Sequence, residues 1–170
     1  EYKGQLTFLQ IASPHREHFK DVQQKYQDWI TKEAEKVNRK FETKEWKPIV
    51  LETTQYSQRD LSALFKIAHF CLITSLHDSM NLVAKEYVAM RNDSLGVLIL
   101  SQFAGASRHL KEALIVNPHN TEEIGTAIFT ALLMPISEQY RRMNIMRTII
   151  KDYNVYRWAA EFIKSVTSLN

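Results

Sequence analysis

The hydrophobic pattern of the chain alternates between short apolar runs and longer amphipathic segments. The first apolar run, LTFLQIA, has little polar alternation, which is typical of a strand buried on both faces. The polar segment after it carries Phe19, Val22, Tyr26 and Ile30 at helical spacing and predicts a helix. Over the whole chain the pattern predicts strands at residues 6–12, 47–53, 70–74, 96–101 and 113–118.

Small polar residues mark the starts of several predicted helices. Ser57 and Asp60 have the spacing of a capping box, and Asn120 and Ser137 each stand where a cap for the following helix is expected. Pro118 ends the last predicted strand. The predicted helices cover residues 17–40, 57–68, 80–91, 120–134, 137–153 and 155–169, and a glycine-containing loop with a short helix covers residues 103–110.

This order of elements predicts an α/β fold. Short apolar strands that alternate with helices favour a Rossmann-like parallel sheet, with right-handed crossovers and helices on both faces. The sequence shows no internal repeat and no low-complexity linker. One domain over residues 1–170 is therefore the economical interpretation.

Composition narrows the class of protein. The 170 residues are 45% hydrophobic and 24% charged, and the net charge of +3 is too balanced to favour nucleic acid or an anionic membrane as a partner. No apolar run approaches the ~20 residues that a membrane-spanning helix needs. The single cysteine, Cys71, lies in an apolar run and is expected to be a small buried residue in a reducing compartment.

The N-terminal residues lack the pattern of a signal peptide, so we expect a cytoplasmic protein. The chain begins at Glu1 rather than at Met, which suggests a piece of a longer polypeptide, although processing or tag removal would give the same start. His15 and His18 stand three residues apart without further zinc ligands, and no metal site is expected. GxGxxG and GxxxxGK[ST] motifs are absent, so no cofactor is expected either.

The stretch TSLHDSMNLVAKEY, residues 74–87, stands where a buried strand gives way to a helix. Ligands of parallel α/β sheets bind at the carboxyl ends of the strands, and the first N–H groups of a helix attract anions such as phosphate. A carboxylate at Asp78 suits sugar hydroxyls better than phosphate, and Glu86, about two turns further on, suits a second pair of hydroxyls. From spacing alone, plain capping of the helix is the favoured explanation of this stretch.

The same residues resemble a known family. HDSMNLVAKEYVA is similar to the D-G-M-N-L-V-A-K-E-Y-V-A signature of trehalose-6-phosphate synthases, which are retaining glycosyltransferases of the GT-B fold. The resemblance continues in the same order through LQIASPHRE, VNRKFETKEWKPI, GVLILSQFAGAS and ALIVNPHN. It covers nearly the whole chain, and it implies the C-terminal half of the enzyme, which binds the nucleotide sugar.

The resemblance also implies roles for individual residues. The donor glucose would bind through its hydroxyls to Asp78, and the acceptor phosphate of glucose 6-phosphate would bind to Arg16. The following main-chain N–H groups would hold the glucose and the diphosphate, Val83 would lie by the nucleoside, and Glu86 would take the ribose hydroxyls. The residues that present those N–H groups are Ser79, Met80, Asn81 and Leu82.

Several departures from the family pattern surround the predicted site. Ser79 replaces a Gly, and a serine there would meet a cost if the position needed a positive φ and would crowd the diphosphate. His77 and Gln58 each replace an Arg. The family's basic pair, which neutralises the leaving diphosphate, would precede Glu1, so no catalytic residue is expected within the chain.

The implied reaction transfers glucose from UDP-glucose to glucose 6-phosphate with retention. Two alternatives stay open: another phosphorylated acceptor such as glycerol 3-phosphate, and an inactive regulatory subunit of a trehalose-synthesis complex. The expected partners are the donor, the acceptor and the enzyme's own N-terminal domain, with homo-oligomers left open. The last helix, near residues 155–169, is expected to contact that N-terminal domain.

Overall fold

A computed structural model describes residues 4–11, 20–52 and 56–168, and the chain divides into two units, residues 1–57 and 58–170. The first unit contains strand β1 (Phe8–Ile11), helix α1 (Lys20–Phe41) and strand β2 (Ile49–Glu52). The two strands pair in parallel, with Phe8 opposite Ile49. Parallel pairing requires a crossover, and α1 supplies it.

Side chains of the first unit fasten α1 to β2. Asn38, in the last turns of α1, accepts a hydrogen bond from the Ile49 N–H (3.0 Å) and donates to the Ile49 carbonyl (2.9 Å). This amide therefore acts as an extra partner for the strand. The expectation that the first strand is buried on both faces is wrong for β1, because Leu9 keeps 41% of its surface exposed.

The second unit holds a three-stranded parallel sheet in the order β3–β4–β5, with Phe70 opposite Val97 and Ile99 opposite Leu114. Its elements, in chain order, are α2 (Gln58–Ile67), β3 (Phe70–Ile73), α3 (Leu82–Met90), β4 (Val97–Ser101), a short 3-10 helix (Gly105–Arg108), β5 (Leu114–Val116), α4 (Thr121–Leu133), α5 (Ile136–Asp152) and α6 (Val155–Thr167).

The central strand β4 separates two hydrophobic cores, because successive side chains of a strand point to opposite faces. Leu98 and Leu100 pack with α2, α3 and α5, whereas Val97 and Ile99 pack with α4. Burying such a side chain contributes roughly 1.5–3 kcal/mol to folding. The predicted α/β fold, with parallel strands and helices on both faces of a sheet, is confirmed; a single domain over residues 1–170 stays a prediction.

Cys71 packs at the edge of the core that contains Leu98 and Leu100. Burial raises the pKa of its thiol to about 12, so the thiol is neutral at ordinary pH. This agrees with the expected structural role for Cys71.

Of the helix caps predicted from sequence, one is confirmed and one is wrong. Asn120 caps α4 as predicted, accepting a hydrogen bond from the Glu123 N–H (3.1 Å). The predicted cap Ser137 is wrong, because α5 begins at Ile136 and Pro135 is its N-cap. The Pro135 carbonyl accepts the N–H groups of Glu138 and Gln139 (both 3.0 Å), which places Ser137 inside the first turn.

A cluster of charges surrounds the first turns of α5. Glu138 accepts hydrogen bonds from Arg141 Nε (2.8 Å) and Arg142 Nε (2.7 Å), and Arg141 also pairs with Glu112 (3.0 Å). These hydrogen bonds lower the pKa of the Glu138 carboxyl to about 2. The carboxylate also stands in the first turn of the helix, where negative charge is favourable.

Glu138 should therefore make stability depend on pH. A carboxyl with a lowered pKa stabilises the folded protein above its ordinary pKa of 4.5, and the contribution disappears as the pH falls towards about 2. We expect Glu138→Gln to be less stable than the parent at pH 7 and to lose this difference in acid. Urea unfolding at several pH values measures it, and a deficit that is equally large at pH 2 would contradict the assignment.

The last helix, α6, presents an apolar face to solvent. Its large apolar side chains are all at least half exposed, and they are Val155, Tyr156, Trp158, Phe162, Ile163 and Val166. Asn154 caps this helix by accepting the N–H groups of Tyr156 and Arg157 (both 3.1 Å). Within the described residues, no helix has both the length and the apolar character needed to cross a membrane.

Candidate functional site

The turn between β3 and α3 is organised by the Asp78 carboxylate. Asp78 Oδ1 accepts hydrogen bonds from the N–H groups of Met80 (3.2 Å) and Asn81 (2.9 Å). Asp78 Oδ2 accepts a third from Asn81 Nδ2 (2.9 Å). Hydrogen bonds to a charged acceptor are roughly twice as strong as neutral ones, so one side chain fixes the conformation of the turn.

Asn81 forms the N-cap of α3 in a left-handed conformation, with φ 61°. Its Oδ1 accepts the Ala84 N–H (2.9 Å), and the side chain is buried against the turn. Among residues other than glycine, asparagine adopts this conformation comparatively readily. The helix therefore begins at Leu82, two residues after the predicted start at Met80, because Asn81 rather than Asp78 or Ser79 is the cap.

The segment after β4 runs beside the turn and is joined to it by main-chain hydrogen bonds. The Asp78 N–H donates to the Phe103 carbonyl (3.3 Å), and the N–H groups of Gly105 and Ala106 donate to the carbonyls of Asp78 and Met80 (both 2.9 Å). These bonds extend the parallel pairing of β3 and β4 past the ends of the strands. Two neighbouring segments at the carboxyl end of the sheet are thereby held together.

Gly105 is the residue that permits this close approach. A Cβ atom at position 105 would lie 2.0 Å from the Ser79 carbonyl oxygen and 2.8 Å from the Ser79 carbonyl carbon. Both atoms belong to the main chain and cannot rotate away. Any other residue at position 105 would therefore have to displace the turn.

The predicted N–H groups of the turn are used in different ways. Those of Met80 and Asn81 are donated to Asp78. No described residue accepts a hydrogen bond from the N–H groups of Ser79 and Leu82, nor from that of Val83, which follows Leu82 in the first turn of α3. The side chains of Leu82 and Val83 are 59% and 46% exposed, so this end of the helix is open to a ligand.

The remaining predicted site residues have the following places. Glu86 is half-buried and stands one helical turn after Leu82, on the same face of α3. His77 is exposed next to the turn, and Gln58 is the first residue of α2. Arg16 lies outside the described residues. The roles assigned to all of these residues stay predictions.

Ser79 does not carry the backbone strain that the sequence suggested. Of the described residues other than glycine, only Asn81 and Ser94 have a positive φ. The expected cost of a serine in place of glycine is therefore wrong as far as φ is concerned. The Ser79 side chain is exposed, and whether it crowds a diphosphate stays a prediction.

The described residues hold no cluster of three or more His, Cys, Asp or Glu side chains that would suit a metal ion.

Comparison with known proteins decides the family. Residues 1–168 match the profile of glycosyltransferase family 20. The chain belongs to this family. Trehalose-6-phosphate synthase from Klebsiella pneumoniae is 36% identical over 174 residues, and the match covers the whole chain but 36% of that protein. The chain thus spans little more than a third of the length of this relative.

Solved structures of the family are similar in fold. Trehalose-6-phosphate synthase from E. coli, solved with UDP-2-fluoro glucose, superposes with a TM-score of 0.86 at 34% identity. The enzyme from Burkholderia xenovorans, solved with glucose-6-phosphate, gives 0.87 at 37% identity. The two matches cover 96% and 97% of this chain, and each covers 36% of the solved one. The family and the α/β fold predicted from the resemblance are confirmed.

Proposed function

We propose that this chain is the donor-binding half of a retaining glucosyltransferase that makes trehalose 6-phosphate from UDP-glucose and glucose 6-phosphate. The observation that carries the proposal is the turn at Asp78, which leaves the N–H groups of Leu82 and Val83 open at the start of α3. Family membership supplies the class of reaction.

The diphosphate of the donor is assigned to the first turn of α3. The N–H groups of Leu82 and Val83 and the helix dipole attract its negative charge. Those of Met80 and Asn81 already donate to Asp78, so the proposal keeps Leu82 from the predicted N–H groups and adds Val83. Charge grows on the leaving diphosphate as its bond to glucose breaks, and donors that are fixed in advance stabilise that charge.

The hydroxyl groups of the donor are assigned to the two carboxylates. Among the described residues, Asp78 Oδ2 accepts one hydrogen bond, from Asn81, and so retains capacity to accept others from glucose. Glu86 lies on the same face of α3 as Leu82 and would take the ribose hydroxyls. Val83, exposed at the helix start, would lie by the nucleoside.

The proposed reaction also needs groups that bind the acceptor and the leaving group. The acceptor phosphate is assigned to Arg16, and the cations that neutralise the leaving group are assigned to a segment outside residues 1–170. The chain alone would then be inactive, in keeping with its 36% share of the Klebsiella relative. The exposed apolar face of α6 supports a contact with the N-terminal domain. A cytoplasmic location is part of the proposal, because the free Cys71 thiol suits a reducing compartment.

Calorimetric titration of UDP-glucose into the intact protein tests the proposal. We expect binding, together with release of UDP and formation of trehalose 6-phosphate once glucose 6-phosphate is added. GDP-glucose and glycerol 3-phosphate serve as alternative donor and acceptor. Binding of the donor without turnover would favour a regulatory subunit, and no binding at millimolar UDP-glucose would reject the proposed site.

A further inference from the structure

The C-terminal end of α3 is held by a side chain from another helix. Arg147, on α5, donates from one nitrogen, Nη1, to the main-chain carbonyls of Val88 (3.1 Å), Ala89 (2.9 Å) and Arg91 (2.9 Å). Its second nitrogen, Nη2, donates to Asn92 Oδ1 (3.3 Å). A cation at this end also complements the negative pole of the helix dipole.

These contacts satisfy carbonyls that a helix cannot satisfy itself. The last carbonyls of a helix have no partner within it. The Tyr87 carbonyl receives the Arg91 N–H (3.2 Å), and the Met90 carbonyl receives the Asn92 N–H (2.9 Å). Val88 and Ala89 stand between them and depend on Arg147. Removing this guanidinium would leave the last turn of α3 without its anchor.

The connection from α3 to β4 is held by α5 at two further points. Asn144 accepts a hydrogen bond from the Ser94 hydroxyl (2.8 Å), and Gln139 accepts one from the Gly96 N–H (3.0 Å). Ser94 has a positive φ of 56°, which shows how closely this connection is constrained. The helix α5 itself is fixed, because Met143 and Met146 are fully buried in the core that contains α3.

A second arginine, Arg91, binds main-chain carbonyls at the end of α2. Arg91 is 5% exposed, and it donates to the carbonyls of Phe65 (3.0 Å) and Ala68 at the end of that helix. Asp93 neutralises its charge through two hydrogen bonds of 3.0 Å. Arg147 donates to the Arg91 carbonyl, so the guanidinium of Arg147 helps to fix Arg91, whose own guanidinium binds the end of α2.

We propose that Arg147 is a positioning residue for donor binding, acting through α3 on the N–H groups of Leu82 and Val83. The inference rests on the proposed function. A nine-residue helix is about 13 Å long and moves as a rigid rod, so a slide or rotation at its C-terminal end displaces its first turn equally. Misplacement of binding groups by about 1 Å is enough to weaken transition-state contacts strongly.

Arg142 provides a matched control on the same helix. It is also half-buried, and it also donates to a main-chain carbonyl, that of Glu112 (3.0 Å), and to Glu138 (2.7 Å). Among the described residues, it forms no hydrogen bond or ion pair with α3. A general loss of packing on α5 would affect Arg142→Gln and Arg147→Gln alike, whereas a specific effect on α3 would separate them.

The experiment measures the dissociation constant of UDP-glucose, the KM for glucose 6-phosphate and amide hydrogen exchange in the intact protein. We expect Arg147→Gln to raise the donor dissociation constant roughly tenfold and to leave the acceptor KM within about twofold. The amide of Ala84, in the first turn of α3, should exchange faster even without ligand. Arg142→Gln should leave all three quantities close to those of the parent.

The outcomes separate this inference from the proposed function. If the parent binds UDP-glucose and Arg147→Gln binds it equally well, the inference is wrong and the proposed function stands. If Arg147→Gln weakens donor and acceptor binding equally, or if Arg142→Gln weakens donor binding as much, Arg147 contributes only to general stability. Either result would also overturn the inference. A parent that does not bind the donor would reject both. Should Arg147→Gln fail to fold, Arg147→Lys, which keeps the charge but not the planar fork, is expected to weaken donor binding about threefold.

Discussion

Gly105→Ala is expected to weaken donor binding by about a hundredfold or more, although Gly105 is assigned no contact with the donor. The added Cβ would stand 2.0 Å from the Ser79 carbonyl oxygen, so the turn or the neighbouring segment must move by roughly 1 Å or more. The displacement would break the hydrogen bonds from Gly105 and Ala106 to the turn. We also expect a loss of about 2–4 kcal/mol in the free energy of unfolding.

Gly125→Ala is the matched control for this substitution. Gly125 lies within α4, and a Cβ there would meet no heavy atom within 4 Å. In a helix, alanine in place of glycine stabilises by about 0.5–1 kcal/mol. Thermal unfolding and UDP-glucose titration of both variants measure the contrast. A Gly105→Ala protein with the donor affinity of the parent would show that the turn yields without consequence for binding.

Asp78→Asn is expected to lower donor affinity by about a hundredfold while changing the size of the side chain very little. One orientation of the new amide keeps the bonds from Met80 and Asn81 but turns an NH₂ group towards Asn81 Nδ2, itself a donor. The other orientation loses both main-chain bonds. Hydrogen bonds to a charged group are worth about 1.5–3 kcal/mol each, and neither orientation keeps all three of them, so both orientations weaken the turn.

Asp152→Asn makes the same chemical change at the exposed last residue of α5 and should leave donor binding unaltered. A crystal structure of Asp78→Asn should also show a changed φ at Asn81 or a lost cap at Ala84. If the variant keeps parental affinity for UDP-glucose, Asp78 is neither the organiser of the turn nor a ligand of the sugar.

Much of the fold followed from sequence because its signals are local. Apolar runs and helical spacing predicted each strand and helix of the structure near its observed place, and the Asn120 cap was visible as a small polar residue at a helix start. The same kind of local signal gave the wrong prediction that Ser137 caps α5. A serine near a helix start looks like a cap, whereas the start was set by the carbonyl of Pro135 and by its two N–H partners.

The turn at Asp78 was predicted as the candidate site from sequence, and its role in binding stays a prediction. Its hydrogen-bond geometry could not be predicted, because spacing does not show which N–H groups the Asp78 carboxylate occupies. The role of Gly105 depends on Ser79, 26 residues earlier in the chain, and that of Arg147 depends on partners such as Arg91, 56 residues earlier. Such contacts form only when the chain folds, so the presence of a glycine or an arginine in the sequence does not predict them.

Main-chain atoms alone carry the bonds that join Asp78 and Met80 to the segment of Phe103, Gly105 and Ala106. Every amino acid except proline offers the same amide and carbonyl, so positions on these segments other than Asp78 and Gly105 can change without breaking the main-chain bonds. Substitutions at exposed positions such as Ser79 and Phe103 would then leave these main-chain bonds in place. Among related proteins, we therefore expect Gly at position 105 to be conserved and position 79 to vary.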